Sequence, residues 1–373
     1  MNHKFTLSLL GLGLAAAAAA ITAYTPWQAL RAPESDTTAE SITFYGTMER
    51  NTTWTESQKV GFYSFTGDGK ADEFTMYRIF DSNRMVTGGG AYYDGYFYYI
   101  NGVETTVKDK ISNTFNKVDT RTWKTVSMSG HNAPTLTDAY AMAYDYSTST
   151  MYAYCPDREE GGYSIRTVDL ETGNFTDVAK VDASLYIPAI AFSAEGEMYG
   201  VAHDPAQRSS DLYKIDKRTG KTTLVGEIGR MVNSAYAGLA FDYRTGKLYW
   251  TSMCYTVNQY QERSYASCLL ELDTNTGMGT PVKEFVNGEV FSTLFFMDSH
   301  PKAPEAVSGV TVKYTAGSSD EVTLDFDVPS RHYDRSALSG ELKVEIYVDG
   351  TLSQTLTGLA AGSRRSSDAI TLT

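Results

Sequence analysis

One hairpin, repeated about every fifty residues, constrains this chain more than any other feature. SDLYKIDKRTGKTTLVGEIG, residues 209–228, runs as a strand to Asp216, turns through Lys-Arg-Thr-Gly and resumes as a strand. YSIRTVDLETGNFTDVAKV (163–181) and SCLLELDTNTGMGTPVKEF (267–285) repeat the pattern. NTFNKVDTRTWKTVSMSG (113–130) is a worn copy with Trp123 in place of the glycine. The anchor aspartates, Asp119, Asp169, Asp216 and Asp273, lie 50, 47 and 57 residues apart. Aspartate can accept bonds from N–H groups inside the turn, and glycine takes the positive φ that a tight hairpin needs.

A second hairpin precedes each of these. AYAMAYDYSTSTMYAYC (139–155), IPAIAFSAEGEMYGVAHD (187–204) and AYAGLAFDYRTGKLYWTSM (235–253) each pair a small apolar strand with an aromatic one. GGGAYYDGYFYYING (88–102) fits the same slot, and Ala143, Ala191 and Ala240 mark the register. The unit is therefore four antiparallel strands in about fifty residues, which predicts an all-β chain built as a β-propeller. The small strand suits the innermost position, where blades crowd at the axis. A solenoid would need shorter coils with fewer strands.

Four complete units span 88–286. FSTLFFMDS (291–299) reads as a fifth innermost strand without partners behind it, while SITFYGTMER (41–50), KVGFYSFTGD (59–68) and DEFTMYRIFD (72–81) read as three outer strands without an inner one. Joined, they make a blade from both ends of the propeller segment and close the ring, removing its exposed edges. The expectation is five blades over 34–300, with six as the alternative.

Residues 301–373 open with Pro-Lys-Ala-Pro and continue as alternating strands. Ala303-Pro304, the run Val322 to Pro329 and the run Val344 to Gly350 resemble a fibronectin type III domain over about 70 residues. Phe326 stands where that family usually has Trp. The resemblance implies a seven-stranded sandwich of which about five strands are visible, so this domain is expected to be incomplete. Propellers followed by fibronectin type III domains are similar in layout to secreted or surface proteins of Bacteroidota-type bacteria, which implies an extracytoplasmic role.

Residues 1–33 read as a secretory signal and leader. Lys4 precedes an apolar run, Phe5 to Ala23, that ends in a block of alanines with small residues for cleavage. A retained anchor is the alternative, since the run is long enough to span a bilayer. After cleavage no membrane insertion is expected. The net charge is −13, and −15 without the leader. With no basic stripe, nucleic acid is an unsuitable partner.

Cys155, Cys254 and Cys268 are three in number, so at least one stays unpaired within the chain. Cys254 and Cys268 are placed to face each other across a hairpin; three buried thiols are the alternative. No spacing matches a zinc site.

The sequence carries no G-x-S-x-G, H-E-x-x-H, P-loop or G-x-G-x-x-G motif. SFTGDGKADEF (64–74) resembles the calcium loop of FG-GAP repeats through Asp68, Gly69, Lys70, Ala71 and Asp72. Ser64 and Thr66 stand where that family has Asp or Asn, and hydroxyls are weak calcium ligands, so a plain hairpin loop is expected and no cofactor is assigned. PDREE (156–160) is expected to be a solvated loop.

Propellers usually bind ligands on the face built from the loops that lead into the innermost strands and those joining second to third strands. Here these loops carry His131, Asp138, Tyr186, Arg230 and Asn233, and Asp157, Arg158, His203, Asp204, Arg208, Tyr255, Asn258, Tyr260 and Glu262. The candidate ligand-binding residues are Tyr186, His203, Arg230, Tyr255, Asn258 and Tyr260, with the stretch 255–265 as the richest loop. No catalytic residue is assigned. The expected function is a non-catalytic module recognising glycan or extracellular protein at the cell surface. The alternative is a carbohydrate-active hydrolase or lyase with acids converging on the central opening. Against it, the innermost strands carry acids only at their ends, as at Asp145 and Asp242.

Overall fold

The computed structural model describes residues 3–9, 19–24, 42–50, 60–67, 74–79, 85–104, 111–126, 139–157, 160–204, 209–257, 263–285, 287–297, 299–301, 304–305, 307–314, 321–332, 336–348 and 351–371. Contacts divide the chain into two compact units. One is Ser41–Met297; the other joins Met1–Glu40 to Asp298–Thr373. Strands β1 (His3–Leu9) and β2 (Ala19–Tyr24) belong to the second.

The unit 41–297 is all-β and built from four-stranded antiparallel sheets, an arrangement consistent with a β-propeller. β3 (Thr43–Arg50), β4 (Gly61–Thr66) and β5 (Thr75–Ile79) form a meander. β6 (Met85–Tyr93), β7 (Tyr96–Glu104), β8 (Ile111–Asp119) and β9 (Lys124–Val126) form the next sheet. β10 (Ala141–Asp145), β11 (Thr150–Pro156), β12 (Tyr163–Val168) and β13 (Phe175–Val181) form a third. β14 (Tyr186–Phe192), β15 (Met198–Asp204), β16 (Ser209–Ile215) and β17 (Thr222–Glu227) make a fourth. β18 (Met231–Asp242), β19 (Lys247–Val257), β20 (Arg263–Leu272) and β21 (Gly279–Phe285) make a fifth. The chain then returns as β22 (Val290–Phe291) to lie beside β3, so the first meander gains its innermost strand from the far end of the unit. That strand is shorter than 291–299. Beyond Phe291 the pairing continues irregularly, through Ser292 N–H to Thr47 O and a bridge between Tyr45 and Phe295.

Apolar clusters link these sheets in a closed cycle. Phe62 of β4 meets Phe97 of β7 and Phe295. Ile100 and Phe115 pack with Met142, Ala153 and Phe175 of the β10 sheet. Tyr152 and Ile165 pack with Phe192 and Met198 of the β14 sheet. Val201 and Leu212 pack with Leu239, Trp250 and Leu270 of the β18 sheet. Tyr249, Leu269 and Phe285 return to Phe44 and Phe65 beside β22. Each sheet thus hides both faces, which is why strands such as β11 and β15 are buried almost throughout instead of alternating. The innermost strands approach too closely for side chains at some points. A Cβ on Gly238 would sit 2.6 Å from Leu294 N.

The repeated outer turns share one mechanism. Asp169 Oδ1 accepts from Glu171 and Thr172 N–H at 2.8 and 3.0 Å, Asp216 Oδ1 from Arg218 and Thr219 N–H at 2.9 and 3.2 Å, and Asp273 Oδ1 from Asn275 N–H at 2.7 Å. These backbone bonds hold all three carboxyls below the usual range. Gly173, Gly220 and Gly277 take φ of 73°, 71° and 80°, and Trp123 takes 56° in the worn copy.

The second unit contains β23 (Ser308–Tyr314), β24 (Glu321–Asp327), β25 (Leu342–Val348), β26 (Thr351–Leu359), β27 (Arg364–Ser366) and β28 (Ile370–Thr371). β23, β24 and β27 form one sheet with β28 on β24; β2, β1, β25 and β26 form the other. Val322, Leu324 and Phe326 from the first meet Leu342, Val344 and Ile346 from the second in one core, which makes a two-layer sandwich. Phe326 is fully buried. The stretch read as a leader supplies β1 and β2, and β1 runs parallel to β25, from His3 opposite Leu342 to Leu9 opposite Val348.

Candidate ligand-binding face

Where the innermost strands begin, the chain repeatedly places a tyrosine ahead of its small residues. Tyr140 precedes β10, Tyr186 opens β14 and Tyr236 lies in β18 ahead of Ala237 and Gly238. Strand registry brings the ends of the second and third strands to the same edge. Tyr186 is paired with His203, and Pro156 with Tyr163.

The result is a contiguous aromatic surface. Tyr140 meets Tyr186 edge-on at 5.0 Å and Tyr163 at 6.0 Å, and Tyr163 lies 6.1 Å from Tyr186. These three rings are half-buried. Behind them, fully buried Tyr154 stacks on Tyr163 at 5.2 Å and donates its hydroxyl to Leu185 O. His203 sits between Tyr186 at 6.4 Å and fully buried Trp250 at 6.2 Å. The hydroxyls of Tyr140, Tyr163 and Tyr186 take no hydrogen bond among the described residues. Burial pushes the Tyr163 and Tyr186 phenols up, so they stay protonated and present a donor as well as an acceptor.

A carboxyl lies on the same side. Glu49, near the end of β3, accepts a hydrogen bond from Ser292 Oγ at 2.6 Å. The residue as a whole is half-buried, but its carboxyl is withdrawn from water, and that desolvation raises it from 4.5 to about 7 against the opposing bond from Ser292. Glu49 in turn helps raise the Tyr236 phenol, after burial, and Tyr236 contributes in the same way to Tyr186. Electrostatic proximity thus runs from Glu49 through Tyr236 to the aromatic surface.

Of the residues expected from sequence, Tyr186 and His203 come together in this surface. Arg230 lies just before β18, where its carbonyl accepts from Ser210 Oγ at 2.8 Å. The described residues of the expected loop at 255–265 are all strand. β19 runs to Val257, β20 resumes at Arg263, and Tyr255 is paired with Tyr265 and Met231, because alternating aromatic and β-branched residues extend the ladder. Asn258 and Tyr260 lie outside the described residues, as do His131, Asp138, Arg158, Arg208 and Glu262. Asp157 and Glu160 share Lys180, the Asp157 contact at 2.8 Å, so these acids are tied to a cation. Ser64 Oγ is 3.1 Å from the Tyr77 hydroxyl, and residues 68–73 of the calcium-loop match lie outside the described residues. Among the described residues no group of three or more His, Cys, Asp or Glu could hold a metal, and no helix is long and apolar enough to cross a membrane.

Sequence reasoning missed Tyr140, Tyr163, Tyr236 and Glu49. The signal for two of them was present: Ala139-Tyr140-Ala141 and Ala235-Tyr236-Ala237 occupy equivalent places in the repeat. Glu49 carried none, since its partner Ser292 is 243 residues away.

The opposite edge differs in character. Tyr93 stacks on Tyr144 at 3.6 Å, and Tyr243 donates to Phe192 O at 3.0 Å, so tyrosines there serve contacts within the protein. A groove of about 410 Å³ on that side is lined by Lys214, Lys217 and Lys221 with Glu197 and Asp216. Lys214 is bound to Glu197 at 3.1 Å and Lys217 to buried Asp145, so much of its positive charge is already answered.

No protein-family model matches this sequence. No curated protein matches it either. Among solved structures, the chain is similar to a protein from Lactobacillus plantarum, at 12% identity over 68% of this chain and 98% of that one, with a TM-score of 0.33. It is also similar to an α-L-arabinanase from Cellvibrio cellulosa complexed with arabinohexaose, at 13% identity over 65% and 92%, with a TM-score of 0.38. A third is the periplasmic gluconolactonase of Pseudomonas aeruginosa, at 11% identity over 88% and 99%, with a TM-score of 0.34.

Proposed function

We propose that residues 41–297 form a five-bladed propeller, closed by β22 on β3, that acts as a non-catalytic binding module for a glycan or an extracellular protein. The observation that carries this reading is the surface made by Tyr140, Tyr163 and Tyr186, backed by His203 and Trp250. Half-buried aromatic rings offer flat apolar area at low entropic cost, and their free hydroxyls add directional polar contacts, a combination suited to sugar rings. In this reading the sandwich that follows is fibronectin type III-like, the leader is cleaved so that β1 and β2 leave the side of β25, and the protein works outside the cytoplasm. Its acidic charge directs it away from nucleic acid.

A second reading is a carbohydrate-active hydrolase or lyase with its site at the central opening. Glu49 favours it, because a carboxyl that titrates near neutrality is suited to general acid or base work. It ranks second because glycoside hydrolysis uses two carboxyls, and burial and the Ser292 bond account for the Glu49 shift without a second carboxyl.

The test is a glycan-array binding measurement on the whole chain, with and without calcium, using the native protein, Tyr186→Ala and Tyr140→Ala. Saturable binding that falls at least tenfold in both variants supports the proposed face. Binding unchanged in both removes it. Product release from a bound glycan that stops in Glu49→Gln would move the assignment to the second reading.

A further inference from the structure

The strands that lead to and from residues 258–262 carry two thiols in contact. Cys254 on β19 and Cys268 on β20 are both buried, and their Sγ atoms are 3.1 Å apart. In the ladder Cys254 is paired with Ala266, and Cys268 with Ser252. The two are therefore diagonal neighbours on one face of the sheet, since directly opposed residues share a face. That face packs into the core with Val232, Trp250 and Leu212. Cys155, the remaining cysteine, is buried in a different cluster with Ile100, Phe115 and Ala153.

We propose that Cys254 and Cys268 are a disulfide-forming pair that locks β19 to β20, with Cys155 outside the bond. The sulfurs need to close by about 1 Å to reach the ~2.05 Å bond, a movement within the reach of side-chain rotation. Two thiols with no third ligand among the described residues suit oxidation better than metal binding, which needs three or four ligands.

The oxidant is a disulfide donor, small or borne by a protein. The thiolate of either cysteine attacks one sulfur of the donor, forms a mixed disulfide and releases a donor thiolate. The thiolate of the other cysteine then attacks the protein sulfur of that mixed disulfide, forms the intramolecular bond and releases the second donor thiolate. The two protons lost by the cysteines go to those thiolates, and the two electrons reduce the donor disulfide to two thiols. Both cysteines are buried in the folded sheet, so the exchange belongs to folding, before the β18 sheet closes on its neighbour.

The experiment refolds the whole chain with glutathione disulfide and then alkylates it under denaturing conditions without reductant. One alkylated cysteine is expected, Cys155, together with a tryptic species joining residues 248–263 to residues 264–283 that separates on reduction. The native protein should lose thermal stability on adding reductant after folding, and the Cys254→Ser, Cys268→Ser double variant should show no such response. Three alkylated cysteines after refolding, or a bond from Cys155 to either of the others, overturns the proposal. A joined peptide with no response to reductant also overturns the part that assigns it a locking role.

Discussion

Lys217, in the outer turn of the β14 sheet, reaches across to the carboxylate of Asp145 in the inner hairpin of the β10 sheet. Asp145 is wholly buried, and it also accepts from Ser147 Oγ at 2.7 Å and Thr148 Oγ1 at 2.6 Å. Lys217 further donates to Gly196 O at 3.1 Å and lies over the Phe192 ring. One charge pair thus ties two neighbouring sheets together. Burial pushes the Asp145 carboxyl up, but Lys217 and the two hydroxyls outweigh it and hold the group below its ordinary 3.8.

Asp145→Ala should destabilise the protein by about 3–5 kcal/mol at pH 7, because it strands a partly buried lysine. The sign with pH follows from the lowered carboxyl. Its contribution is present above pH 3.8, and it is lost as pH falls through the lower folded value. Denaturant titrations at pH 7 and pH 3 should therefore show a smaller gap between native and variant at pH 3. An equal gap at both would mean that the charge is not what matters.

Glu49→Gln should change the pH dependence in the opposite sense. Below pH 4.5 the carboxyl is neutral in both folded and unfolded chains. As pH rises through about 7 the unfolded chain ionises first, and the stability of the folded state falls. Glutamine keeps an acceptor for Ser292 without this penalty, so the variant should match the native protein near pH 4 and exceed it by up to about 3 kcal/mol at pH 8. Thermal midpoints across that range decide it. Parallel curves would show that the Glu49 carboxyl is hydrated.

Gly220 and Gly246 take nearly the same backbone, with φ of 71° and 72°. A Cβ on Gly220 would lie 1.9 Å from Lys180 O in the neighbouring sheet, whereas one on Gly246 meets nothing within 4 Å. Gly246→Ala should cost only about 1–2 kcal/mol from the left-handed backbone. Gly220→Ala should cost clearly more, since the two sheets must separate. Similar losses in both would mean that the turn is free to shift away from Lys180.

Trp123 replaces the turn glycine in the worn copy despite φ of 56°. Its ring stacks on Tyr77 at 4.4 Å and lies 5.2 Å from Phe62, across the junction with the β3 sheet. Trp123→Gly relieves the backbone but removes that packing, and a net loss of about 2–4 kcal/mol is expected. A stabilised variant would show that backbone strain outweighs the stacking.

The repeat made the architecture legible. Asp216 with Gly220, and their counterparts, declare a turn through local chemistry alone: a carboxylate that bonds the next N–H groups and a glycine that takes positive φ. The alternation of small and aromatic strands declared which strand lies innermost, and the unmatched strands at 41–81 and at 291 declared that they belong together. Local pattern determined these features because hairpins form between neighbours in sequence. Side-chain encounters across sheets were decided only by the tertiary structure. Glu49 meets Ser292, Lys217 meets Asp145, and Tyr140 meets Tyr186 because the sheets are brought side by side, and no local spacing encodes that approach. The aromatic face and its desolvated carboxyl arise from the same packing: burial raised Glu49, and only the assembled fold creates burial.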